Sequence, residues 1–173
     1  MALTSRERIL KAVQHEETDR VPIDLGGTDC SSIAIGPYRK LCEHLGIDAR
    51  PYQIVDISQQ IAIVDDRVAD SLDTDAKAIW HFPDQWRDGQ AYDGKPVQYP
   101  ARFDPVTRED GDKEVLNKSG EPILRMPAGG LYYDICSHPL MHVADPKELD
   151  TYADLFESMD RPEWYDMSLD KLV

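Results

Sequence analysis

The feature that most constrains this chain is a run near its start. A capped helix leads into a short apolar strand, which ends in a turn built from glycine and small polar residues. Thr4 and Glu7 form a T-x-x-E capping box. Ile9, Leu10 and Val13 follow as a narrow apolar stripe, so a helix is expected to close near His15. The polar run Glu16 to Arg20 separates it from a strand, Val21–Leu25, with Pro22 near the strand start where a missing N–H is tolerated. The strand runs straight into Gly26-Gly27-Thr28-Asp29-Cys30-Ser31-Ser32. In an α/β protein the loop after the carboxyl end of a strand is where a ligand is held.

The next helix is punctuated at both ends. Pro37 suits its first turn and Gly46 the position just past its end. Tyr38, Leu41, Cys42 and Leu45 fall on one face, which makes Cys42 a core residue and not a reactive thiol. The Tyr52 to Ile63 stretch fits either a strand or a short helix. Val64, Val68 and Leu72 recur every four residues and predict a helix over about 64–72. Asp73-Thr74-Asp75 is turn chemistry, and Ala76–Trp80 reads as a short buried strand. This order of helices and strands predicts an α/β fold with parallel strands.

After Pro83 the composition shifts to Gly, Pro and Asp. The turns at Asp110-Gly111 and Lys118-Ser119-Gly120 predict a hairpin of Lys113–Asn117 with Pro122–Met126. Leu131–Cys136 is a further strand, and a helix begins at Asp145-Pro146. Three parts are expected: residues 1–83 as β/α units, 84–142 as a β-rich insertion, and 143–173 as a helical return. No terminator follows Leu172-Val173, so the expectation is a fold cut off inside itself.

Charge narrows the function. There are 33 acidic and 19 basic residues, a net charge of −14, and a surface this negative repels nucleic-acid phosphates and anionic lipid. The amphipathic N-terminus lacks a signal-peptide core, and three well-separated cysteines argue against a disulfide framework. A cytoplasmic protein is expected, with no membrane and no nucleic-acid partner.

The glycine turn is the leading site. Its glycines admit close backbone approach, and Asp24, Thr28 and Asp29 supply donors and acceptors. It is neither a Walker loop nor a G-x-G-x-x-G fingerprint. An ordinary strand-to-helix loop capped by Ser31 or Ser32 is the plainer alternative. His81 follows a predicted strand and Tyr132 lies in the β-rich part; either fits a cavity wall or ordinary packing. Cys136, His138 and His142 have a C-x-H-x3-H spacing, but Pro139 breaks the helix that would align them for zinc.

The opening T-S-R-E-R-I-L-K-A-V-Q-H-E-E-T-D-R-V-P-I-D-L-G-G-T resembles that of uroporphyrinogen decarboxylase-like proteins, closest to their corrinoid-dependent methyltransferase branch. Asp73 to Trp80, Gly129-Gly130-Leu131 and Pro139-Leu140 before Asp145-Pro146 extend the likeness over most of the chain. The resemblance implies the first units of a (β/α)8 TIM barrel, a partial barrel carrying an inserted β-hairpin region. It implies Asp24, Gly26, Gly27, Thr28 and His81 lining the substrate cavity, with no catalytic residue assigned. For the complete enzyme it implies a small methylated substrate, cobalamin on a partner corrinoid protein, and zinc held by an H-x-C and a later cysteine. No H-x-C occurs in these residues, and no metal ligand is assigned among them.

Two alternatives stand beside it. Porphyrinogen decarboxylases carry an arginine-containing block after the first strand and a catalytic aspartate after the next; Asp24-Leu25-Gly26-Gly27-Thr28-Asp29 and Trp80-His81-Phe82 stand in those places. The other alternative is a non-catalytic half-barrel subunit, whose open sheet edges a partner chain or a second copy would cover.

Overall fold

A computed structural model describes residues 2–79, 83, 85–117, 119–137, 141 and 143–152. The described chain contains α1 (Ser5–Val13), α2 (Ile35–Leu45) and α3 (Asp66–Ser71), with eight short strands. Those strands are β1 (Ile54–Asp56), β2 (Ile61–Ala62), β3 (Trp86–Gln90), β4 (Pro96–Pro100), β5 (Val106–Thr107), β6 (Lys113–Leu116), β7 (Pro122–Met126) and β8 (Asp134–Ile135). Every strand pair is antiparallel: β1 with β2, β3 with β4, and β5-β6-β7-β8 as one four-stranded meander.

The expected partial TIM barrel is therefore wrong: this is a small β-rich fold with few helices. A parallel pair needs a crossover of a dozen or more residues, usually helical, and cover on both faces. Here the strands follow one another through short turns. Neither Val21–Leu25 nor Ala76–Ile79 forms a strand. The two segments do run side by side in the same direction, since Arg20 Nη2 donates to Asp73 O at 2.8 Å and Asp75 N to Ile23 O at 2.7 Å. The pairing stops at that one backbone bond among the described residues. It leaves Val21 79% and Ile79 83% exposed.

The helices follow their punctuation. Thr4 and Glu7 form the capping box at α1. Gly46 ends α2 in the left-handed conformation, φ 67°, and its amide bonds back to Glu43 O. Pro37 sits within the first turn of α2, where amides have no helical partner. Asp65 caps α3 by accepting from Arg67 N at 2.8 Å. The stripe on α1 does not face a core: Leu10 and Val13 are exposed, and the buried side chain of this helix is Arg8.

The core forms where α2 crosses the strands. Ile35, Tyr38, Cys42, Ile54, Val68 and Val97 pack together. Tyr99, Phe103 and Tyr133 then join the β3–β4 hairpin to the meander, with ring centroids 4.6 and 5.7 Å apart. Gln60, fully buried at φ 57°, ties the parts together. Its carbonyl accepts from Ile35 N, its Oε1 accepts from Tyr99 Oη at 2.7 Å, and its Nε2 donates to Ile57 O at 2.6 Å.

Candidate functional site

The glycine turn is positioned by a charge cluster, not by a sheet. Asp75, whose side chain is wholly buried, accepts from Arg8 Nη1, from Arg20 Nη1 at 2.6 Å and from Ile23 N at 2.9 Å. Burial pushes its pKa up, but the Ile23 amide and the two guanidiniums outweigh that and hold it far below the usual carboxylate range. Asp19 is likewise held far down, first by Arg8 Nε at 2.7 Å and then by Leu3 N. Arg8, in turn, is pushed up by those two carboxylates, Asp19 first. The cluster clamps α1 and the Asp73–Asp75 turn onto the root of the segment that carries the glycines.

Beyond Ile23 the turn is held by its own bonds. Asp24 Oδ1 accepts from Gly27 N at 2.8 Å, an Asx-type turn. Gly26 N donates to Ser31 O at 3.1 Å. Thr28 and Ser31 cap each other: Thr28 N donates to Ser31 Oγ at 2.9 Å, and Ser31 N to Thr28 Oγ1 at 3.2 Å. They open a single 3-10 turn, Asp29–Ser31.

Both glycines are sterically required. A Cβ on Gly27 would lie 2.4 Å from Asp24 Oδ1, and one on Gly26, at φ 90°, would lie 2.8 Å from Val64 Cγ2. Beside Gly26 lies a cavity of about 410 Å3, with Leu25, Val64, Ala69 and Ala76 in its walls and the Asp66–Lys77 ion pair at 2.8 Å on its lining.

Asp24, Gly26, Gly27 and Thr28 are thus brought together, with the backbone of Asp29 alongside. The side chain of Asp29 and all of His81 lie outside the described residues, as do His138 and His142. Tyr132 is 56% exposed on the segment before β8 and does not line that cavity. Sequence reasoning missed Val64, Ala69 and Lys77 as cavity walls and Asp75 as the anchor. An acid directly ahead of a predicted strand was the available signal for Asp75. Its partners, 52 to 67 residues away, left none.

No group of three His, Cys, Asp or Glu side chains among the described residues is placed to hold a metal. The described residues therefore do not fit the zinc that the resemblance implies, and no step is derived through it. No helix among the described residues is long and apolar enough to cross a membrane.

Compared with known proteins, the chain matches no protein-family model, no curated protein and no solved structure.

Proposed function

We propose that this chain is the N-terminal, substrate-orienting portion of a uroporphyrinogen decarboxylase-like methyltransferase. The enzyme moves a methyl group between a small methylated substrate and the cobalamin of a corrinoid protein. The observation that carries the reading is the interlocked Asp24–Ser31 turn beside the 410 Å3 cavity. A turn whose amides and hydroxyls are already bonded keeps its shape when a ligand arrives, and positioning of that kind contributes to rate. Asp24 Oδ1 is committed to Gly27, while Oδ2 remains an acceptor for a protic group on the substrate. Gly26 keeps the cavity wall thin, and Thr28 holds the turn to Ser31. The opening sequence supports this branch of the family. The missing arginine in Asp24–Asp29 weighs against porphyrinogen decarboxylation.

The test is methyl transfer to and from methylcobalamin over a panel of methylated donors and thiol acceptors, for the parent protein, Asp24→Asn and Thr28→Ala. Transfer that falls about tenfold or more in both variants is expected. No transfer with any donor or acceptor would overturn the proposal, and coproporphyrinogen formation from uroporphyrinogen would replace it.

One observation favours a second reading, a role in binding another polypeptide. The exposed Val21 and Ile79 lie on extended segments joined by a single backbone bond, a pattern that invites a further strand. Light scattering that finds only monomer, alone and with the corrinoid protein, would remove it.

A further inference from the structure

A second, larger cleft lies away from the glycine turn and shares no lining residue with it. Its volume is about 930 Å3, within the range usual for small-molecule sites. Three pieces enclose it: the C-terminal half of α2, the Gly46–Tyr52 connection, and the β3–β4 hairpin. Cys42, Ile47, Pro51, Tyr52, Pro96 and Val97 give it an apolar body.

The charged groups of the lining are not equivalent. Arg39 is buried, and its Nη1 reaches both Asp93 oxygens at 2.9 and 2.7 Å while Nη2 donates to Pro96 O at 3.1 Å. Its guanidinium also lies 5.5 Å from the Tyr52 ring centroid. Arg50 Nε is bonded to Asp48 Oδ1 at 2.7 Å. Asp88 accepts from Gln98 Nε2 at 3.1 Å. Lys95 is different: its ammonium makes no hydrogen bond or ion pair among the described residues, although Asp93 is near enough to feel its charge. The Tyr52 hydroxyl is also without a partner among them. The remaining unpaired group is the carboxylate of Glu43, exposed on α2. Two unpaired donors against one unpaired acceptor, over an apolar body, define the complement.

We propose that this cleft binds a small apolar monoanion, a molecule with a hydrocarbon body and one carboxylate-like head. The body lies along Ile47, Pro51, Tyr52 and Val97, and the head meets Lys95 with the Tyr52 hydroxyl as second donor. The site is independent of the methyl-transfer reading.

The probes are octanoate, octanol and octylamine, titrated into the whole 173-residue chain and followed by backbone amide NMR. Octanoate is expected to bind tightest, with shifts confined to Cys42–Tyr52 and Lys95–Gln98. In Lys95→Gln, octanoate weakens about fivefold, the worth of one exposed ion pair, while octanol is unchanged. Pro96→Trp fills the cleft, keeps the carbonyl that Arg39 uses, and abolishes binding of all three. If no probe shifts these amides, or if octanol or octylamine binds as well as octanoate, the proposal is overturned. It is also overturned if Lys95→Gln leaves octanoate unaffected while retaining the parent's dispersed spectrum.

Discussion

Ile23 and Asp75 are bonded twice: the Asp75 amide donates to the Ile23 carbonyl at 2.7 Å, and the Ile23 amide donates to Asp75 Oδ2 at 2.9 Å. The pair closes a ring between segments 52 residues apart. Because the same carboxylate also takes Arg8 and Arg20, it fixes the helix, the turn and the glycine segment together.

Asp75→Ala therefore strips the Arg8 side chain of one of its two carboxylates and leaves the Ile23 amide without its acceptor. Removing one member of a buried charge group costs far more than the group's net worth. A loss of about 3 kcal/mol in urea denaturation is expected, with Asp75→Asn milder because it can still accept from Ile23. A loss under about 0.5 kcal/mol, the level of an ordinary surface change, would mean that the cluster does not anchor the fold.

The same cluster sets the acid limb. Asp19 and Asp75 sit far below their ordinary value of 3.8 in the folded chain. A depressed carboxylate binds its proton more readily in the unfolded state, so its stabilisation is complete above the ordinary value and drains as pH falls below it. Thermal melts should decline steeply from about pH 4 to about pH 2.5. Asp19→Asn should flatten that slope, because it removes one of the two groups whose proton uptake differs between states. A slope that Asp19→Asn leaves unchanged would show that Asp19 carries no such linkage.

How much of this was legible in the sequence follows from how local each signal is. The Thr4–Glu7 box, the Gly46 cap, the buried Tyr38–Cys42 face and the β6–β7 hairpin are encoded within a few residues, and each is found. Val21–Leu25 and Ala76–Ile79 show the limit. An apolar extended run looks the same whether or not a partner completes it, and a strand exists only when its amides are paired along its length. The barrel expectation summed two such runs into a parallel sheet, while the chain's actual pairings are hairpin-local and antiparallel. The site divides in the same way. The Asp24–Ser31 turn was readable from its glycines, but Val64 and Lys77 reach it through tertiary folding that no spacing announces.

The two glycine sites separate strain from collision. Gly46→Ala meets nothing within 4 Å, so only the left-handed backbone opposes it, about 1 kcal/mol. Gly26→Ala meets Val64 Cγ2 at 2.8 Å as well, and about 2 to 3 kcal/mol is expected. Val64→Ala should recover part of the Gly26→Ala loss and none of the Gly46→Ala loss. If the two glycine variants melt alike, Gly26 does not contact Val64 in the way described.

The core tyrosines make opposite predictions at neutral and alkaline pH. Tyr99→Phe removes the donor to buried Gln60 Oε1, and an orphaned buried acceptor costs about 1 to 3 kcal/mol at any pH below ionisation. The Tyr133 hydroxyl has no partner to lose among the described residues, so Tyr133→Phe should be near neutral at pH 7. Burial pushes its pKa from 10.0 up to about 12. The unfolded chain therefore releases that proton first, and stability falls as pH rises through the interval between the two values. Tyr133→Phe deletes this share of the alkaline loss, so the variant should equal the parent at neutral pH and exceed it above about pH 10.5. Parallel curves for parent and variant across that interval would place the Tyr133 hydroxyl in water, and with it the ring that bridges Phe103 to the meander.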